Sequence, residues 1–381
     1  MKICIISDLH CRYQRDVNSP SDTLLFSNMP RIPISQNPVV SMLKIIDDDT
    51  IKTDVLLCLG DLGDRADEQG IISAWQSVDE IQRKLEVQHK LGIPGNHDIN
   101  SRSQDGRDAF AFIKAFHEGF PTNDESLNAS FWSDGFCIQI LDSTLYLLLN
   151  TVYDHSDAIK AAESNISVAT IEKIKGKLQK LVTSEIKFKI CMLHHHPIKH
   201  SNIQNYKDSD SLERGDVLLA LLNEFHFNIV LHGHKHQPRI NEENGLPVFA
   251  VGSFSSFANL QGTGLHNMFH VVELFEDSRG GIIHSWEYNV RNGWSKNLNK
   301  HFPPQIGFGA SMDLDETAKK IQDIVATDSK PKFYSEILEE IPDLKFLIPD
   351  KLTQLGSIMK NKYRLAVSPE FPLIPNIVTL M

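Results

Sequence analysis

Five short apolar runs in this chain each end in a cluster of aspartate, histidine or asparagine. Residues 3–6 are followed by Asp8-Leu9-His10, 55–59 by Gly60-Asp61, and 91–94 by Gly95-Asn96-His97-Asp98. Residues 190–193 lead into His194-His195-His196-Pro197, and 229–231 into His232-Gly233-His234-Lys235-His236. Apolar runs of this length bounded by turn-forming residues read as buried strands. Longer segments of helical period separate them, which predicts an α/β protein. In open α/β sheets the carboxyl ends of the strands share one edge, where ligands bind. The five clusters, far apart in sequence, are therefore expected to meet in space.

The same periodicity predicts strands over 2–7, 54–59, 136–141, 145–150, 187–193, 227–231, 247–251, 269–275 and 281–288. Helices are predicted over 69–86, 105–118, 167–183, 212–224 and 315–326. Two regions break the alternation. Residues 19–38 hold Pro20, Pro30, Pro33 and Pro38 with little periodicity, and read as a long irregular insertion over part of a site. After His301-Phe302-Pro303-Pro304 the pattern turns to short helices punctuated by prolines. A main domain over 1–300 and a helical extension over 301–381 follow, the extension expected to serve packing, homo-oligomerisation or a partner protein.

Charge and cysteine usage narrow the chemistry. The 38 lysines and arginines against 49 aspartates and glutamates leave a net charge of −11, which disfavours binding along a nucleic-acid backbone. An anionic substrate would need a local positive centre. The 17 histidines outnumber the 5 cysteines, which show no CxxC spacing, so a metal should be held by imidazole and oxygen. No run approaches the roughly 18 apolar residues of a membrane span, no signal-peptide core is visible, and reduced core thiols are expected; the expected location is the cytoplasm.

Asp8, His10, Asp61, Asn96, one of His194 to His196, His234 and His236 are too many ligands for one tetrahedral ion. They suit two first-row divalent ions, manganese foremost with iron and zinc as alternatives, about 3.5 to 4 Å apart. The blander readings are turn chemistry for Asp8 or Asn96 taken singly, and core packing for Cys11, Phe110, Phe112 and Phe116. Five clusters in one pattern outweigh them.

Asp8-x-His10, Gly60-Asp61-x-x-Asp64, Gly95-Asn96-His97-Asp98, His195-x-Pro197 and Gly233-His234-x-His236, in this order, resemble the calcineurin-like metallophosphoesterase superfamily. The resemblance implies a four-layer α/β/β/α sandwich, two mixed sheets flanked by helices, with a binuclear centre at one edge. It implies Asp8, His10 and His236 on the first metal, Asn96, His195 and His234 on the second, and Asp61 bridging. His195 is preferred in the triple because family spacing leaves one residue before the proline. His97 resembles the histidine that contacts phosphate and protonates the leaving oxygen, oriented by Asp98. Asp64 would be a carboxylate fixing the tautomer of a ligand histidine. Asn96 and Arg65 are candidate phosphate contacts, Arg65 by likeness to the protein-phosphatase branch.

The implied reaction is attack of a metal-bound hydroxide on the phosphorus of a phosphodiester, a nucleotide or another small diester. A DNA or RNA nuclease of the repair type, a phosphomonoesterase or protein phosphatase, and a non-catalytic scaffold are the alternatives. The missing lysine or arginine stripe lowers the nuclease.

Overall fold

The computed structural model of the chain describes all residues except 17–21, 32, 102–107, 117–118, 158, 160–163, 182–184, 200–210, 261–265, 277–279, 297–301 and 328–329, and the side chain of residue 34. Parts of the expected insertion over 19–38 and of the expected helix over 105–118 thus lie outside the described residues. Two compact units emerge, Met1–Val271 with Trp286–Ser295, and Val272–Ser285 with Lys296–Met381.

The first unit opens with β1 (Lys2–Ile6), α1 (Pro38–Asp48), β2 (Val55–Cys58), α2 (Glu68–Leu85) and β3 (His89–Gly92). It continues through α3 (Ala111–Ala115), α4 (Glu125–Asp134), β4 (Phe136–Leu141), β5 (Thr144–Leu149), α5 (Val168–Lys180) and β6 (Phe188–Leu193). Then follow α6 (Gly215–Glu224), β7 (Ile229–His232), β8 (Pro238–Glu243), β9 (Leu246–Val251), the first half of β10 (Met268–Leu274), the second half of β11 (Gly281–Asn289), and β12 (Gly293–Ser295).

Local chemistry sets the helix ends. Asn37 caps α1 with Pro38 at the first helical position, and Asp67 caps α2 by accepting from the Gly70 amide. Neither α1 nor α4 was expected from the sequence. α1 follows the proline-rich stretch, and α4 buries little more than Phe131, so its period is faint.

Two mixed sheets form. One runs β12-β11-β10-β1-β2-β3, with β1, β2 and β3 parallel. The other runs β4-β5-β6-β7-β9-β8, with β5, β6, β7 and β9 parallel and antiparallel strands at both edges. In the first, Cys4, Ile6, Leu56 and Cys58 pack on Val39, Met42, Ile71, Ala74, Trp75 and Val78 of α1 and α2. In the second, Leu147, Leu149, Cys191, Leu193 and Val230 pack on Ile171, Ile174, Leu218 and Leu222 of α5 and α6. The alternate residues Ile3, Ile5, Leu57, Tyr146, Leu148, Ile190, Met192 and Leu231 are buried too, as parallel strands covered on both faces require. Met1 touches Thr144 and Tyr146 of β5, which joins the inner faces. The expected sandwich of two mixed sheets between helices is the observed fold.

The second unit adds β13 (Gln305–Phe308), α7 (Leu314–Ala326), β14 (Lys332–Phe333), α8 (Tyr334–Glu340), α9 (Pro349–Tyr363), β15 (Leu365–Ser368) and β16 (Ile377–Leu380). Its helices enclose Ala318, Ile321, Val325, Ile337, Leu355 and Met359. Beside them lies a small antiparallel sheet, β14-β16-β15. Among the described residues no helix is long and apolar enough to cross a membrane.

Candidate metal centre

Each expected cluster leaves the carboxyl end of a parallel strand: Asp8 and His10 after β1, Asp61 after β2, Asn96 after β3, His194 after β6, and His234 and His236 after β7. Five of these residues hold left-handed backbone, with φ of 53° at Asp8, 48° at His10, 51° at Asp61, 74° at His234 and 54° at His236. Such conformations cost about 1–3 kcal/mol each and persist only where surroundings impose them. Here the loops lock one another. The Asp8 amide donates to Gly60 O at 3.0 Å and the His10 amide to Asp61 O at 2.9 Å, while Ser253 Oγ donates to Asp8 O at 2.8 Å. Gly60, at φ 94°, leaves room for His194, since a Cβ there would lie 2.6 Å from its Nδ1.

The side chains converge on Asp61. Its Oδ2 lies 3.6 Å from His10 Nε2 and 3.2 Å from His194 Nε2, and its Oδ1 accepts from the His97 amide at 2.8 Å. On one side, His10 Nε2 and His236 Nε2 approach to 2.8 Å, with Asp8 Oδ1 at 3.8 and 3.4 Å from them. On the other, Asn96 Oδ1 and His234 Nδ1 are 2.9 Å apart. The donor atoms of Asp8, His10 and His236, of His10, Asp61 and His97, and of Asp61, His194 and His234 each lie within 4.8 Å of one another.

In the triple histidine, it is His194 and not the expected His195 that enters this cluster. Alternation along β6 turns Cys191 and Leu193 toward α5 and α6, so the next residue faces the opposite side. The Nδ1 of His194 is 2.7 Å from the Leu59 carbonyl, which frees Nε2 for Asp61. His195 instead bonds Thr151 Oγ1 through Nδ1 at 2.9 Å, its ring 4.6 Å from that of His234.

The expected orientation of His97 by Asp98 also differs. Asp64 Oδ1 sits 2.9 Å from His97 Nδ1, whereas Asp98 spends both oxygens on backbone, accepting from Gly63 N at 2.9 Å and Gly95 N at 2.8 Å. Asp98 thus ties two strand-end loops together. Arg65 is exposed at φ 55°, its amide 3.3 Å from His97 Nδ1. One contact had no signal in the motif spacing: Asp22, in the proline-rich segment, faces His236 Nδ1 at 3.5 Å.

Charge follows the geometry. Burial opposes ionisation of Asp61, but the His194 and His97 imidazoles outweigh it and hold the carboxyl well below its usual range. Asp8 is held low in the same way by His10 and His236. Burial pushes Asp98 up to about 7, with the nearby charge of Asp61 adding to the shift. The His97 pKa is raised, because Asp61 and Asp64 overcome desolvation. Two ionised carboxylates drawn into a nearly dry site recruit positive charge. The donor set of carboxylate, imidazole and one amide oxygen fits divalent metal ions. So does the buried Nε2 of His194, which makes no hydrogen bond.

The family model described as calcineurin-like phosphoesterase matches residues 1–238, and one described as "wHTH-Calcineurin_assc" matches residues 306–361. No curated protein matches the chain. Among solved structures, a purple acid phosphatase from yellow lupin (Lupinus luteus) seeds is 15% identical with a TM-score of 0.48, covering 77% of this chain and 52% of its own. The present chain therefore spans about half the length of that enzyme. Vps29 of Chaetomium thermophilum is 11% identical with a TM-score of 0.33, covering 77% of this chain and 90% of its own. The family match takes in every strand-end cluster from Asp8 to His236, and the chain belongs to the calcineurin-like phosphoesterase family.

Proposed function

We propose that this chain is a metal-dependent hydrolase of a small phosphodiester, such as a nucleotide, working at a centre of two divalent ions, manganese foremost. The observation that carries the reading is the position of Asp61 Oδ2 between His10 and His194, a single carboxylate shared by two ligand sets. The first set is Asp8, His10 and His236, and the second is Asn96, His194 and His234. Two ions so held would supply positive charge for phosphoryl oxygens and would lower the pKa of a water toward neutral.

The chain's own groups complete the chemistry. His97, a quarter exposed at the edge of the cluster, has Nδ1 on Asp64, so Nε2 is the atom placed to protonate the leaving oxygen. Its raised pKa keeps that proton available. Asn96, beside His234, doubles as a phosphate contact. A diester is favoured over a monoester by charge. Asp8, Asp22, Asp61 and Asp64 carry as many negative charges as two divalent ions carry positive ones, which leaves the proton on His97 as one unit of net positive charge. Arg12, the guanidinium near them, lies 3.8 Å from Asp64 and 3.9 Å from Asp67. A monoanion suits that balance better than a dianion. The donors all come from the first unit, and we assign residues 301–381 to packing or to a protein partner.

The test is turnover of bis-p-nitrophenyl phosphate and p-nitrophenyl phosphate by the purified chain with Mn2+. We expect metal-dependent hydrolysis of both, with kcat/KM higher for the diester by roughly tenfold or more. No turnover of either with metal bound sinks the enzyme reading, and a preference for the monoester sinks the diester.

A further inference from the structure

We propose that Asp22 is a positioning residue of the metal centre, which holds the His236 ring with Nδ1 as donor and Nε2 as the atom offered to the metal. This rests on the metal centre described above, and adds to it a residue that no strand-end motif contains.

Three observations carry it. First, the Asp22 carboxylate is itself fixed: Oδ2 accepts from Ser256 Oγ at 2.7 Å and Oδ1 from the Ala258 amide at 2.5 Å. It faces His236 Nδ1 at 3.5 Å from that clamped position. Second, the opposite nitrogen of His236 is the one inside the cluster, 2.8 Å from His10 Nε2 and 3.4 Å from Asp8 Oδ1. The backbone of His236 is already held, since Asn259 Nδ2 donates to its carbonyl at 3.2 Å. The ring's rotation and tautomer are what remain to be set. Third, the other imidazole of this ligand set has no such support, for the buried Nδ1 of His10 makes no hydrogen bond. Orientation of the first metal's imidazoles therefore falls to His236 and the carboxylate behind it. A carboxylate in that place fixes the tautomer and makes the imidazole a better donor, and losing one typically costs about 10–100-fold in metal affinity. It also ties the proline-rich segment, through Asp22, to the first metal position.

The experiment is Mn2+ titration of the full chain by calorimetry, with the spin-coupled Mn2+ pair followed by electron paramagnetic resonance. Wild type should bind two ions and show the coupled signal. Asp22→Ala should bind one ion at wild-type affinity and the other about 10–100-fold more weakly, with the coupled signal lost at concentrations that saturate wild type. Asp22→Asn, of the same size, guards against a folding defect and should weaken the same site to a smaller degree. Thermal unfolding without metal should be nearly the same for wild type and Asp22→Asn, which keeps an acceptor for Ser256 and Ala258, so that weaker metal binding in that variant is not the mark of a purely structural role. Unaltered binding of both ions in the two variants overturns this inference alone. A wild-type chain that binds no Mn2+ takes down the metal centre and this inference with it.

Discussion

His194 turns one nitrogen onto the Leu59 carbonyl at 2.7 Å and presents the other to Asp61 Oδ2 at 3.2 Å. The carbonyl of the residue after β2 thus selects the tautomer of the residue after β6, and turns Nε2 of His194, among three adjacent histidines, toward the shared carboxylate. His194→Ala is expected to bind one Mn2+ fewer than wild type and to lose nearly all turnover. His195→Ala should keep both ions, because the donor atom that gathers with those of Asp61 and His234 belongs to His194. Metal stoichiometry by calorimetry separates the two. Two ions in His194→Ala and one in His195→Ala would return the role to His195.

Asp64 and Asp98 should part in the same way, one through turnover and the other through stability. Truncating Asp98 leaves the Gly63 and Gly95 amides without their acceptor in a buried place, at about 1–3 kcal/mol each. Asp98→Ala should therefore lower unfolding free energy by about 2–6 kcal/mol. Asp64→Asn removes the charge behind His97 and should leave stability within about 1 kcal/mol, while kcat falls by roughly 10–100-fold. Urea unfolding and steady-state kinetics on both variants test this. A stable Asp98→Ala chain, or an Asp64→Asn chain with full kcat, contradicts the assignment.

Gly95 is a further fixed point. A Cβ there would sit 2.1 Å from Asp61 Oδ1 and 2.5 Å from the Asp61 amide, neither of which can yield without moving the shared carboxylate. Gly95→Ala is expected to lose the coupled metal pair even where the chain still folds, a result that circular dichroism and Mn2+ titration read together.

The strands that carry the site were legible because β1, β2, β6 and β7 are buried on both faces and read as continuous apolar runs. Asp8, His10, Asp61, Asn96, His234 and His236 follow from the edge those strands share. Choosing among His194, His195 and His196 needed the facing of β6, for which the burial of Cys191 and Leu193 toward α5 is the signal. Spacing to the proline led to the neighbouring residue instead. Asp64 and Asp98 lie within sequence reach of His97, yet only the three-dimensional course of the two loops decides which carboxylate meets the ring. Asp22 was beyond reach altogether. Its partners, His236, Ser256 and Ala258, stand more than 200 positions away, and no periodicity reports a contact of that range.

Away from the metal, His270 makes acid stability a measurable property of the fold. It is fully buried in β10, donates from Nε2 to the Val251 carbonyl at 2.8 Å, and lies against the Phe249 ring at 4.9 Å. Burial lowers its pKa to about 4, against the opposing hydrogen bond to Val251. In the unfolded chain the same imidazole takes its proton near pH 6.5. Between those values the unfolded state binds more protons than the folded state, so stability falls as pH falls from about 6.5 to 4 and this contribution levels off below. From pH 7 to pH 5 the loss from this one group is about 2 kcal/mol. His270→Gln keeps a donor for Val251 and cannot titrate. Its unfolding free energy should therefore drop less steeply than that of wild type across this interval, by about the same amount. Parallel pH dependences for the two chains would mean that His270 is not held neutral in the fold.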